Sequence, residues 1–207
     1  MLTIIRHSYR DDEVNKHLYK TINNNCPISE EGKKYAKEKA LELQRIVKTV
    51  DKIYTSPFKR TIQTSKIFSN VFSSVFTPDI KVCYDLSEGQ NKDAPDYEKE
   101  LADKLKENGI KYPETNKHIK DRCIKTLNLI ENELKNNKSV LLVTHGYIYN
   151  VLLTVLFDEY GFEDALFSKE YIPRCCDLSV LKYNNGEYDN KYKIVFSDVY
   201  NLNKLKI

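Results

Sequence analysis

Two short, largely apolar runs, Leu2-Thr3-Ile4-Ile5 and Ser139-Val140-Leu141-Leu142-Val143-Thr144, constrain this chain more than any other feature. Each is too short for a buried helix and lacks the strict alternation of a half-solvated strand, so each reads as a strand covered on both faces. Such strands need helices above and below, and helical spacing follows. Ser29-Glu30-Glu31 opens a helix with Ala36, Ala40, Leu43 and Val47 on one face, ending near Thr49. Lys52-Ile53-Tyr54-Thr55 is a further strand, closed by Ser56-Pro57, and Phe58, Ile62, Ser65, Phe68 and Phe72 then recur as a helix.

Lys81 to Tyr84 is a third candidate strand, leading into the acidic loop Asp85-Leu86-Ser87-Glu88-Gly89. A helix is expected from Asn116 to Leu134, where Ile119, Cys123, Leu127, Ile130 and Leu134 share a side, and another carries Ile148, Val151, Leu152, Val155 and Leu156. Leu178 to Lys182 and Tyr192 to Phe196 flank Asn184-Asn185-Gly186, a hairpin signal. Strands alternating with helices predict an α/β fold with a mostly parallel sheet, whose chemistry sits on the loops at the strands' C-terminal ends.

At 207 residues, 41% hydrophobic and 30% charged, with a mean hydropathy of -0.58, the chain is expected to form one domain, residues 1–207, that folds in water. The net charge of +3 comes from 33 basic and 30 acidic residues without a like-charge block, which argues against nucleic acid as a partner. No apolar run approaches a membrane span, and Arg6, His7 and Arg10 stand where a signal peptide needs an apolar core, so the cytoplasm or nucleus is the expected compartment. The five cysteines, Cys26, Cys83, Cys123, Cys175 and Cys176, show no C-x-x-C pair and read as reduced thiols.

Two of the four histidines, His7 and His145, fall immediately after the two clearest strands. A lone histidine there is more often structural, but strand ends of such a sheet can be neighbours. Arg6 and Arg60 add two cations to the same mouth, which makes an oxyanion pocket suited to a phosphoryl group. A histidine held in one tautomer can attack phosphorus with no metal and no cofactor, provided donors neutralise the phosphoryl oxygens. The leaving alkoxide needs a proton, and Glu88 is the candidate acid, although alone it is one of 30 acidic residues. Tyr9 and Tyr147 flank the site and are placed to touch substrate.

Other chemistries lose support. The chain has no G-x-x-x-x-G-K-[ST], G-x-G-x-x-G, H-E-x-x-H or G-x-S-x-G pattern, and no cysteine is followed six positions later by arginine, as a cysteine-dependent phosphatase loop requires.

The residues resemble the histidine phosphatase, or phosphoglycerate mutase-like, superfamily along most of the chain. Ile4-Ile5-Arg6-His7-Ser8 resembles its opening strand-Arg-His-Gly signature, and Asn25-Cys26-Pro27-Ile28-Ser29-Glu30-Glu31-Gly32 its Asp-x-Pro-Leu-Thr-x-x-Gly block. Ser56-Pro57-Phe58-Lys59-Arg60-Thr61-Ile62-Gln63-Thr64 is similar to its Ser-x-x-x-Arg block, Leu86-Ser87-Glu88 to its acid loop, and Val143-Thr144-His145-Gly146 to its closing strand-His-Gly. The segments 6–10 and 56–60 look most like the tau55/UBASH3-STS type subgroup.

The resemblance implies a three-layer α/β sandwich, a mostly parallel central sheet flanked by helices. It also implies His7 as the phosphorylated nucleophile, Glu88 as proton donor, and Arg6, Arg60, His145 and Arg10 as phosphate ligands, with no metal. Two departures stand out: Ser8 adds a side chain beside the nucleophile where the family has glycine, and Asn25 replaces an aspartate. The expected activity is metal-independent phosphomonoester hydrolysis on a phosphorylated small molecule or phosphoprotein. The alternatives are a catalytically weak phospho-ligand binding or scaffold module, and a phosphoglycerate mutase, which the short segment after Glu88 disfavours. The apolar helix surface is compatible with a homodimer.

Overall fold

The structure, a computed structural model, describes residues 1–15, 25–89, 98–160, 173–184 and 187–192. Six strands form one sheet, β1 (Leu2–Arg6), β2 (Lys52–Thr55), β3 (Asp79–Val82), β4 (Val140–Thr144), β5 (Leu178–Asn184) and β6 (Glu187–Tyr192), in the order β3-β2-β4-β1-β5-β6. The first four are mutually parallel, and β5 and β6 add an antiparallel hairpin beside β1. The helices are α1 (Asp11–Val14), α2 (Glu30–Ile46), α3 (Lys59–Phe72), α4 (Lys99–Glu107), α5 (Asn116–Lys135) and α6 (Gly146–Tyr160).

Side-chain alternation along the buried strands builds two cores. Leu2, Ile4, Val140 and Leu142 point to one face, where Ile119, Cys123, Leu127 and Ile130 of α5 and Ile148, Leu152 and Leu156 of α6 cover them. Ile5, Leu141 and Val143 point to the other, against Ala36, Ala40 and Leu43 of α2 and Phe68 and Phe72 of α3. The result is the expected three-layer α/β sandwich. Ser29 caps α2 by accepting the Gly32 N–H through its hydroxyl, and Thr115 caps α5 by accepting from His118 N.

This topology positions the site. After β1 the chain turns to α2 on one face, and after the neighbouring β4 it turns to α6 on the other, which opens a crevice between the two C-terminal strand ends. His7 and His145 stand on its two sides.

Two strand boundaries differ from the sequence expectation. The third strand begins and ends two residues earlier than Lys81 to Tyr84. It is an edge strand with most side chains in solvent, so no apolar alternation marks it, and Tyr84–Leu86 instead coils into a 3-10 turn leading the acid loop over the sheet. The sixth strand begins at Glu187 rather than at Tyr192, with Glu187 paired to Asn184; residues 185–186 and 193–196 lie outside the described residues. Between the acid loop and Tyr112 lies α4, whose Leu101 and Leu105 pack with Phe58. The five cysteines are buried free thiols, and among the described residues no helix is long and apolar enough to cross a membrane.

Candidate active site

His7 leaves the end of β1 with its backbone N–H donated to Thr144 O at 2.9 Å, which locks it to the neighbouring strand. Its ring Nδ1 lies 2.7 Å from the carbonyl oxygen of Ser8. A carbonyl only accepts, so Nδ1 carries the proton and Nε2 keeps a free lone pair. Burial first, then the positive charges of Arg60, His145 and Arg6, hold His7 well below the usual imidazole range. The ring therefore stands neutral, in the tautomer a nucleophile needs.

Ser8 does not intrude on that ring. Its hydroxyl donates to Gly32 O at 2.7 Å and its N–H to Thr64 Oγ1 at 3.2 Å, so the side chain ties the loop after β1 to α2 and α3. The close approach of α2 depends on Gly32, where a Cβ would come 2.6 Å from Tyr9 O. Asn25, the other departure, accepts the Lys59 N–H at 2.9 Å and so caps the first turn of α3, the helix that carries Arg60.

His145 follows β4 and is fully buried, its ring 5.4 Å from that of His7, centroid to centroid, and edge-on to Phe58. Arg60 Nη2 lies 3.0 Å from its Nδ1, and the Ser56 hydroxyl 2.8 Å from its Nε2. A guanidinium only donates, so Nδ1 accepts and Nε2–H is given to Ser56. Burial pushes His145 down to about 4, against the pull of Glu88, whose Oε2 stands 3.1 Å from Nδ1 and marks where a second proton would bind.

Arg60 Nη2 also reaches Glu88 Oε2 at 3.3 Å, while its guanidinium stacks over Phe58. Burial pushes Glu88 up, but the charges of His145, Arg60 and Arg6 outweigh it and hold the carboxyl at about 2. Arg6 donates from Nη1 to Pro173 O, and its buried Nε has no hydrogen-bond partner among the described residues. That Nε lies 3.4 Å from where a Cβ on Gly146 would be, at the N-terminus of α6, whose first N–H groups have no acceptor within the helix. His7, His145, Arg6, Arg60 and a helix N-terminus thus converge, a set of groups that suits an anion.

His7, Glu88 and His145 also offer one ligand atom each within 4.8 Å of one another, a spacing a cation could span. Two permanent cations acting on the same space oppose that use.

Five of the six sequence-derived site residues, Arg6, His7, Arg60, Glu88 and His145, come together. Arg10 does not share their contacts; it forks onto Asp12, with Nε 2.9 Å from Oδ1, and approaches Glu13. Tyr9 is set aside too, its ring stacked on Tyr35. The sequence reading gave no role to Ser56, Tyr112, Glu114, Arg122 or Thr144. Ser56 orients His145, and the other four brace the acid loop: Tyr112 OH donates to Glu88 O at 3.0 Å, Thr144 Oγ1 to Leu86 O at 2.8 Å, and Arg122, paired with Glu114, to Asp85 O.

The fold is shared with solved structures at low identity. Bacillus stearothermophilus YhfR superposes with a TM-score of 0.65 at 16% identity, over 95% of this chain and 96% of that one. Mycobacterial glucosyl-3-phosphoglycerate phosphatase superposes with a TM-score of 0.62 at 15% identity, over 91% and 94% of the two chains. Its VO3 complex gives a TM-score of 0.62 at 16% identity over the same shares. No curated protein matches the sequence. The family profile of the histidine phosphatase superfamily (branch 1) matches residues 2–192. A profile match over nearly the whole chain shows that it belongs to the histidine phosphatase superfamily.

Proposed function

We propose that this protein is a metal-independent phosphomonoesterase that works through a phosphohistidine on His7. The observation that carries the reading is the His7 tautomer: Nδ1–H is given to the Ser8 carbonyl, and Nε2 is free inside a ring of cations. In this reading Nε2 attacks phosphorus, the N–P bond forms and the ester P–O bond breaks. Arg6, Arg60, the N-terminus of α6 and, once protonated at Nδ1, His145 hold the equatorial oxygens, and Glu88 gives its proton to the departing alkoxide. Water then attacks phosphorus while the Glu88 carboxylate takes its proton, the N–P bond breaks, and phosphate leaves with His7 restored.

With no anion bound, Glu88 is ionised at neutral pH. Its proton therefore enters with a monoanionic ester, and transfers to Glu88 once the phosphoryl group has neutralised the neighbouring guanidiniums. Arg10 would join the phosphate only by releasing Asp12. The narrower likeness to the tau55/UBASH3-STS type subgroup rests on the segments 6–10 and 56–60.

Hydrolysis of an aryl phosphate, with and without a chelator, by the wild type and by His7→Ala and Glu88→Gln tests this. Chelator-resistant turnover that is lost in His7→Ala and falls roughly a hundredfold or more in Glu88→Gln supports the route. A folded wild type without turnover, or turnover indifferent to His7, sinks it. In the first case vanadate binding would identify a phospho-ligand module, and transfer between two positions of a sugar-acid phosphate a mutase.

A further inference from the structure

His7, His145 and Arg60 are almost wholly buried, and the cluster meets solvent at the partly buried Arg6 and at Glu88, which has 24% of its side chain exposed. The residue after it, Gly89, lies directly under the ring of Tyr147. A Cβ at Gly89 would come 2.7 Å from Tyr147 Cδ1 and 3.2 Å from Cε1, so only glycine lets the ring rest on this backbone. The Tyr147 hydroxyl donates to Asn116 Oδ1 at 3.0 Å, tethering the ring to the first turn of α5. The ring is thus fixed at both ends, yet Tyr147 remains 39% exposed, a large amphipathic side chain left in solvent two residues after a fully buried histidine.

The leaving group of a phosphate ester must lie on the Glu88 side, because its oxygen has to come within hydrogen-bond reach of that carboxyl. Among the described residues, the Tyr147 ring, packed on Gly89, is an exposed aromatic surface one residue from Glu88. Resting on the proposed phosphatase reading, we infer that Tyr147 is a specificity-determining residue that favours phosphomonoesters whose alcohol carries a flat, apolar or aromatic ring. Such a ring stacks on the tyrosine while the phosphoryl group occupies the cationic space. A pre-fixed platform loses little side-chain entropy on contact, and a stack of this kind corresponds to roughly a two- to tenfold preference.

The test compares kcat/KM for benzyl phosphate and butyl phosphate. Both leave as unactivated primary alkoxides, so the ratio reports the ring rather than the chemistry. The wild type is expected to favour benzyl phosphate, Tyr147→Phe to keep the preference, and Tyr147→Ala to bring the ratio close to one. A ratio unchanged in Tyr147→Ala, or an equal loss on both esters, overturns the proposal and leaves the phosphatase reading standing. If the wild type hydrolyses neither these esters nor an aryl phosphate, the phosphatase reading fails; where the two alkyl esters alone are not turned over, calorimetry with benzylphosphonate and butylphosphonate decides the ring preference. Tighter benzylphosphonate binding that is lost in Tyr147→Ala supports it, and equal affinities overturn it.

Discussion

Arg122 grips Glu114 with both arms, Nε to Oε1 at 2.9 Å and Nη2 to Oε2 at 3.0 Å, while its remaining nitrogen holds the carbonyl of Asp85. The pair is almost wholly out of solvent, with side chains 6% and 3% exposed. In such a place a charge survives only if its partner and its hydrogen bonds are complete, and here they are. The bond to Asp85 gives the pair its functional meaning, because Asp85 begins the loop that ends in Glu88. Thr144 and Tyr112 hold Leu86 and Glu88 in the same loop, so Glu88, the proposed acid, is placed from three parts of the fold.

Removing one member of that pair should be far more damaging than a surface change. Arg122→Met leaves the Glu114 carboxylate buried without its fork, and a loss of about 3–5 kcal/mol is expected. Denaturant unfolding measures it. A loss below about 1 kcal/mol would mean that Glu114 finds solvent or another donor.

Tyr112→Phe removes the hydrogen bond to the backbone of Glu88. Stability should fall by about 1 kcal/mol. The acid remains but is less firmly placed, so kcat should fall several-fold while KM changes little, since the phosphate ligands are untouched. Steady-state kinetics on an aryl phosphate reads the two separately, and a rise in KM alone would contradict the placement.

Ser8→Gly should separate stability from activity. The hydroxyl serves Gly32 O, away from the His7 ring, and the carbonyl that sets the His7 tautomer is backbone and survives the change. The expected cost is about 1–2 kcal/mol, from a lost buried hydrogen bond and added chain entropy, with kcat/KM within about twofold of the wild type. Thermal melting and kinetics on the same preparation check both halves.

How much of this was legible in the sequence follows from how local each cause is. His7 and His145 follow the two best-marked strands directly, and the register pairing Arg6 with Thr144 brings them side by side, so run and residue together announced the pair. The Ser8 side chain could not be read in the same way. Its effect depends on a carbonyl 24 residues later, presented only because Gly32 lets α2 approach. Arg122 and Glu114 are eight residues apart on either side of a helix cap, a spacing with no periodic signature. Arg10 is the opposite case: Asp12 lies two positions on, and Arg10 forks onto that local partner, a short-range pairing that motif likeness does not register. The third strand was misplaced because an edge with exposed Asp79, Lys81 and Val82 carries no burial pattern.

The site should also make the fold acid-sensitive, and a bound anion should reverse this. His145 titrates at about 4 when folded and near 6.5 when unfolded. Between those values the unfolded chain holds a proton that the folded one refuses, so stability falls as pH drops from about 6.5 to about 4, by about 3 kcal/mol from this residue. His7 is shifted the same way and adds to the loss over the range below 6.5. Glu88, lowered from 4.5 to about 2, stabilises the fold above pH 4.5, and this is lost as pH falls toward 2. All three act in one direction, so the melting temperature should fall continuously below pH 6.5. Vanadate or phosphate placed among the cations favours protonation of His145 at Nδ1, while His7 keeps its Nε2 lone pair toward the anion. The stabilisation by a fixed anion concentration should therefore be larger at pH 5 than at pH 7.5, and His145→Gln should weaken that difference. Thermal melts at the two pH values, with and without the anion, decide it. An anion effect independent of pH would mean that His145 does not take up a proton when the site fills.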